Sequence, residues 1–141
     1  MQRKASAAWQ GGIKDGKGQI STDSGVLSST PYSFEKRFGE EKGTNPEELI
    51  AAAHASCFSM ALSLGLGNAG LTADSIDTKA VVTLDKDGDG FSITAVHLTC
   101  KAKVAGTDAA TFAKIAQATK EACPVSKVLK ATITLDAALD S

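Results

Sequence analysis

The stretch Asn45-Pro46-Glu47-Glu48-Leu49-Ile50-Ala51-Ala52-Ala53-His54-Ala55-Ser56-Cys57-Phe58-Ser59-Met60-Ala61-Leu62-Ser63-Leu64-Gly65-Leu66 decides how this chain folds. Asn45 can cap a helix, Pro46 suits its first position, and Glu48 completes a capping box. Glu47 and Glu48 lie where the positive end of the helix dipole favours acids. From Leu49 to Leu66 no residue carries a formal charge, and Gly67 or Gly70 can end the helix. That length is the lower edge of a membrane span. The stretch is nevertheless Ala-rich, holds His54 and three serines, and has no basic cluster at either end. It reads as a buried central helix, apolar nearly all round, and not as a span.

Working outward, residues 1–40 read as short strands with Gly-rich turns: Ala5–Trp9, Gln19–Thr22, and Tyr32–Phe38, where Tyr32, Phe34 and Phe38 are read as alternating with polar positions. After the helix, Ser75–Leu84 and Phe91–Val104 form a hairpin about Lys86-Asp87-Gly88-Asp89. Val96, Leu98, Cys100, Ala102 and Val104 share one face of its second arm. Thr107 or Asp108 caps a further helix, on which Phe112, Ile115, Ala116 and Thr119 recur at helical spacing. Cys123-Pro124 breaks it, a short helix follows over Val125–Lys130, and Thr132–Leu139 closes as a strand. The order is α+β.

The 141 residues are one domain, 1–141, with 43% apolar and 22% charged residues, a globular balance. A formal net charge of -1 leaves no basic surplus for phosphates, which argues against nucleic-acid binding. One sheet of a chain this size cannot cover every side of the long helix. A second copy is the economical cover, so a homodimer packed through that helix is expected.

Two motifs invite readings that their context defeats. Asp85-Lys86-Asp87-Gly88-Asp89-Gly90 matches half of a calcium loop, but position twelve is Val96 where a bidentate Glu is needed; it is a hairpin turn. His54 and Cys57 have a spacing that can share a metal, yet Cys100, Cys123 and His97 supply no second tight pair, so no metal or cofactor is assigned. His54 reads instead as a hydrogen-bonded helix residue, and His97 as exposed.

The chemistry rests with cysteine. Cys57, Cys100 and Cys123 are odd in number and widely spaced, which is no disulfide framework. With no apolar signal core after Met1, a reducing, cytoplasmic setting is expected. Cys100, among inward-facing Leu98 and Ala102, is a core filler. Cys123 precedes Pro124 at a helix start, where backbone N–H groups favour a thiolate. Cys57 lies deep in the long helix and needs another electrostatic helper, such as a guanidinium. At pH 7 a thiol of pKa ~8.5 is about 3% ionised, so full ionisation yields roughly 30-fold more nucleophile. On these residues alone, two unrelated buried cysteines and a functional pair both stand.

Gly43–Leu62, with Asn45-Pro46-Glu47 and His54-Ala55-Ser56-Cys57-Phe58, resembles the central helix of the OsmC/Ohr family of thiol peroxidases. Ala122-Cys123-Pro124-Val125-Ser126 resembles that family's second cysteine motif, and Pro31-Tyr32-Ser33-Phe34 and Leu129–Leu135 extend the likeness along the chain. The likeness is greater to the osmotically inducible branch. It implies antiparallel sheets wrapped around long central helices in an intertwined dimer, and a two-cysteine peroxidase for organic hydroperoxides and hydrogen peroxide, regenerated by a dithiol, in the related branch a lipoyl group. Cys57 would attack and Cys123 resolve, with Glu47 and Arg37 matching the family's acid and arginine. Glu47 and Cys57, ten residues apart, are separated by roughly 15 Å along one helix. Glu47 is therefore expected to serve the Cys57 of a neighbouring subunit. Ala53, His54, Met60 and Ala61 beside Cys57 suit either an apolar tail pocket or core packing. A non-catalytic, redox-switched binding protein would form the same disulfide without turnover, and is the alternative.

Overall fold

The structure, a computed structural model, describes residues 1–140. It divides into two compact units, Met1–Leu49 and Ile50–Ser141.

In the first unit, β1 (Ala5–Gln10), β2 (Lys17–Thr22) and β3 (Thr30–Tyr32) form an antiparallel sheet in that order. Gly18 pairs with Trp9 on one side and Tyr32 on the other, and these rings approach to 5.5 Å between centroids. A Cβ on Gly18 would collide with both rings. The expected third strand, Tyr32–Phe38, is corrected: the strand ends at Tyr32 and helix α1 (Phe34–Phe38) follows. Alternation fails at Lys36, whereas Phe34 and Phe38 are one helical turn apart and their rings meet at 4.9 Å. Ser33 caps the turn, its Oγ accepting from the Lys36 N–H at 3.2 Å.

Helix α2 (Pro46–Asn68) starts as its sequence dictates, with the Glu48 N–H donating to Asn45 Oδ1 at 2.8 Å. It ends in a Schellman motif: the Leu71 N–H donates to the Leu66 carbonyl and the Gly70 N–H to that of Gly67. Gly70 takes φ +75°, a left-handed conformation that a side chain would strain.

In the second unit, β4 (Ala73–Asp87) and β5 (Gly90–Val104) form the expected hairpin, and β6 (Thr132–Asp140) lies on the other side of β5. The antiparallel expectation holds for β4 and β5, but β6 runs parallel to β5. Helices α3 (Ala109–Ala122) and α4 (Pro124–Val128) provide the crossover that a parallel pair requires. Asp108 caps α3, its carboxylate accepting from the Thr111 N–H at 2.7 Å.

The core sits over β5. Val96, Leu98, Cys100, Ala102 and Val104 are buried together with Phe58, Leu62 and Leu66 of α2 and Phe112 and Ala116 of α3. Burying each large apolar side chain stabilises the fold by roughly 1.5–3 kcal/mol. A Cβ on Gly65 would lie 3.2 Å from Thr119 Oγ1 and 3.3 Å from Ile115 Cγ2, so glycine is what lets α2 lie close against α3. Helix α2 buries only the stripe His54, Phe58, Leu62 and Leu66, one side chain per turn. Met60 and Leu64, on another side, are 79% and 67% exposed. By length and composition α2 could cross a membrane, and 22% of its apolar window is buried within the chain. The expectation that one chain cannot cover this helix is met.

Candidate active site

Two of the three cysteines meet. Cys57 projects from α2, and Cys123 occupies the joint between α3 and α4. That joint follows from Pro124, which has no N–H to continue α3. Cys123 closes α3 through its N–H to the Thr119 carbonyl at 2.8 Å, then opens α4 with φ -56° and ψ 124°. The two thiols are neighbours, each bearing on the other's ionisation, and both are free. Cys123 is fully buried and Cys57 partly so.

Their ionisation differs. Burial pushes the Cys57 thiol up, the Val125 N–H opposes this, and the neighbouring Cys123 sulfur raises it further. Burial alone would also raise Cys123. The Ser126 N–H, the Cys57 thiol, the Ser126 hydroxyl and the Val125 N–H outweigh it, and Cys123 lies below the ordinary thiol range. Within one chain, then, the sulfur that favours the anion is Cys123, at the helix start as the sequence indicates. Cys57 still needs its helper.

Cys100 stays apart as expected, buried on β5, its thiol pushed up by burial. His54 is the hydrogen-bonded helix residue anticipated, but its partner was not: Nε2 lies 2.7 Å from Ser126 Oγ. Its ring is fully buried and burial lowers its pKa, so it is neutral near pH 7. His54 thus belongs to the packed side of α2, and Met60 to the open side. His97 contacts Thr134 and Asp136 at the surface, with a half-exposed side chain. Among the described residues no group of three or more His, Cys, Asp or Glu gathers as a metal site.

Arg37 and Glu47 come together in the first unit. Arg37 Nε donates to Glu47 Oε1 and Oε2 at 3.2 and 3.1 Å, and Nη2 donates to Oε1 at 2.6 Å. This is a bidentate fork, with Glu47 largely buried and Arg37 about one-third exposed. Asn45 supports it, its Nδ2 donating to the Lys36 carbonyl at 3.2 Å. Beside Arg37 lies a recess of about 230 Å³ lined by Trp9, Ile13, Tyr32, Phe34 and Phe38. Trp9 and Ile13 were not singled out in the sequence, because nothing local ties them to Arg37.

A pair of neighbouring free thiols, one buried and one partly so, with a carboxylate-held arginine elsewhere in the chain, is an arrangement suited to cysteine redox chemistry on an α+β scaffold. Residues 39–138 match the OsmC-like protein family. The chain is 60% identical to the Peroxiredoxin OsmC of Escherichia coli (strain K12) over 141 residues, which are 100% of this chain and 99% of that one. It is 29% identical to the Organic hydroperoxide resistance protein OhrB of Bacillus subtilis (strain 168) over 117 residues, 82% and 84% of the two chains. The crystal structure of the Bacillus subtilis OhrB superposes with a TM-score of 0.70 at 28% identity, covering 96% of this chain and 98% of that chain. An OsmC-like protein of unknown function from Vibrio cholerae shares the fold, with a TM-score of 0.77 at 18% identity over 98% and 99% of the chains. This chain belongs to the OsmC family.

Proposed function

We propose that residues 1–141 act as one domain of a two-cysteine peroxidase that reduces organic hydroperoxides, and hydrogen peroxide as well, at the expense of a dithiol. The coarser statement, a thiol peroxidase that detoxifies peroxides, rests on membership of the family and on the 60% identical peroxiredoxin. The finer reading is carried by one observation: Cys57 and Cys123, 66 positions apart, are brought near enough to shift each other's ionisation while Cys100 remains in the core.

Cys57 attacks as the thiolate. Its sulfur bonds to one peroxide oxygen, the O–O bond breaks, and the departing oxygen takes a proton to leave as alcohol or water. The Cys57 sulfenic acid is then attacked by Cys123, giving a disulfide and water. A dithiol, such as a lipoyl group, restores both thiols and is itself oxidised to a disulfide.

Because its own surroundings push the Cys57 thiol up, a cation must favour its anion and the developing charge on oxygen. Arg37, fixed by Glu47, is assigned that role at the Cys57 of a second copy, which makes each site composite. The apolar recess beside Arg37 suits the carbon tail of an organic hydroperoxide. The open Met60 and Leu64 side of α2 is assigned to the dimer contact. Such a dimer has no need of a bilayer, and the cytoplasm is its assigned compartment.

The deciding experiment is peroxide consumption with dihydrolipoamide, comparing an alkyl hydroperoxide with hydrogen peroxide. Multiple turnovers, faster with the alkyl hydroperoxide, are expected. One equivalent consumed without further turnover would instead identify a redox-switched binding protein.

A further inference from the structure

The core of the second unit holds a polar chain that the steps above leave without a task. His54 is fully buried, its Nδ1 meets no partner, and its Nε2 lies 2.7 Å from Ser126 Oγ. The Ser126 hydroxyl in turn neighbours the Cys123 sulfur, whose pKa it helps to lower. An imidazole on α2, a hydroxyl on α4 and a thiol at the joint between α3 and α4 thus neighbour one another in turn.

The direction of these bonds follows from the orphaned nitrogen. A neutral imidazole carries one proton. On Nδ1 it would leave a buried N–H unpaired, and such orphans are rarer than unpaired acceptors. On Nε2 it donates to Ser126 Oγ, and the Ser126 proton is then directed at sulfur. A hydroxyl held this way stabilises the anion of Cys123, not the thiol.

We propose that His54 is a positioning residue for the resolving step: its Nε2–H donates to Ser126 Oγ and fixes the Ser126 hydroxyl as a donor to the Cys123 thiolate. This rests on the two-cysteine reading above. In that step Cys123 sulfur bonds to the sulfenic sulfur of Cys57, the S–O bond breaks, and hydroxide leaves. The hydroxide takes up the proton that Cys123 had lost to solvent, and water is the product. His54 and Ser126 exchange no proton; they hold the nucleophile ionised.

The magnitude is modest and distinctive. Losing a hydrogen bond to a charged sulfur moves its titration up by about one pH unit. Where both forms are mostly thiol that leaves about tenfold less thiolate, but each remaining thiolate is about threefold more nucleophilic. Disulfide closure slows by roughly threefold. At alkaline pH, once both forms are ionised, the variant closes no more slowly than the parent.

The test uses the full chain and two readouts. In a Cys57→Ser background, which removes the other thiol bearing on Cys123, thiolate absorbance is titrated for Ser126→Ala, His54→Leu and His54→Gln. With both cysteines present, disulfide closure is timed after one equivalent of peroxide from about pH 6.5 to about pH 10. Ser126→Ala and His54→Leu are expected to titrate higher and to close more slowly only near neutrality. His54→Gln, which keeps an amide donor, returns both readouts toward the parent. An unchanged titration in Ser126→Ala, or slowing that is uniform across pH, overturns the proposal. Should His54→Leu fail to fold, Ser126→Ala and His54→Gln decide it. The absorbance titration needs no peroxide, so a failure of the peroxidase reading is seen separately, as a parent chain that consumes none.

Discussion

At the scale of single residues, cysteines in the same chain have been given opposite properties by their surroundings. Cys123 gains backbone N–H groups because Pro124 stops one helix and starts another at its position. Cys57, inside a helix whose N–H groups are already used, gains only the Val125 N–H of a neighbouring element. The division of roles is tested by substitution. Cys57→Ser is expected to abolish peroxide consumption, whereas Cys123→Ser reacts once and accumulates a sulfenic acid that dimedone traps; mass spectrometry of the dimedone adduct reads the difference.

His54 makes a second residue-scale prediction. Its folded-state pKa lies below the ordinary value of 6.5, so the unfolded chain binds its proton first as pH falls. Stability contributed by the neutral ring is present above about pH 6.5 and is lost as pH falls toward the folded-state value. Below pH 6.5 the slope from this residue is at most about 1.4 kcal/mol per pH unit. Thermal melts are expected to decline with acidification, and to decline less in His54→Gln.

At the scale of elements, α2 is organised by one buried side chain per turn. Leu62 lies mid-stripe, against the inward face of β5, and is completely buried. Leu62→Ala leaves a cavity and is expected to cost about 2–5 kcal/mol, read from urea denaturation. The element boundaries were legible in the sequence wherever local chemistry sets them: Asn45 and Asp108 as caps, Gly70 as a stop, Pro124 as a break. The Tyr32–Phe38 segment was not, because two aromatic residues at helical spacing resemble alternation until Lys36 is placed. Parallel pairing of β6 was equally hidden, since strand direction depends on where two intervening helices carry the chain.

At the scale of the whole molecule, the open apolar side of α2 is the feature with the largest consequence. Leu64→Glu places a charge on that side, away from the buried stripe and two turns along the helix from Cys57. Sedimentation is expected to change from dimer to monomer. Turnover with dihydrolipoamide is expected to fall with it, because in the composite site we propose, Arg37 and Glu47 of one copy serve Cys57 of another. A monomer that keeps full turnover would overturn that arrangement.

The α+β class, the capped and charge-free central helix, the inward face of β5 and the inertness of Cys100 were determined by sequence alone, because each depends on neighbours within a turn or on alternation along a strand. The resemblance of the two cysteine motifs also singled out the Arg37–Glu47 fork. What only the tertiary structure decided was the meeting of Cys57 with Cys123 and of His54 with Ser126. These depend on contacts between residues about 70 positions apart, and the electrostatics of a buried sulfur are set by whichever donors packing brings to it.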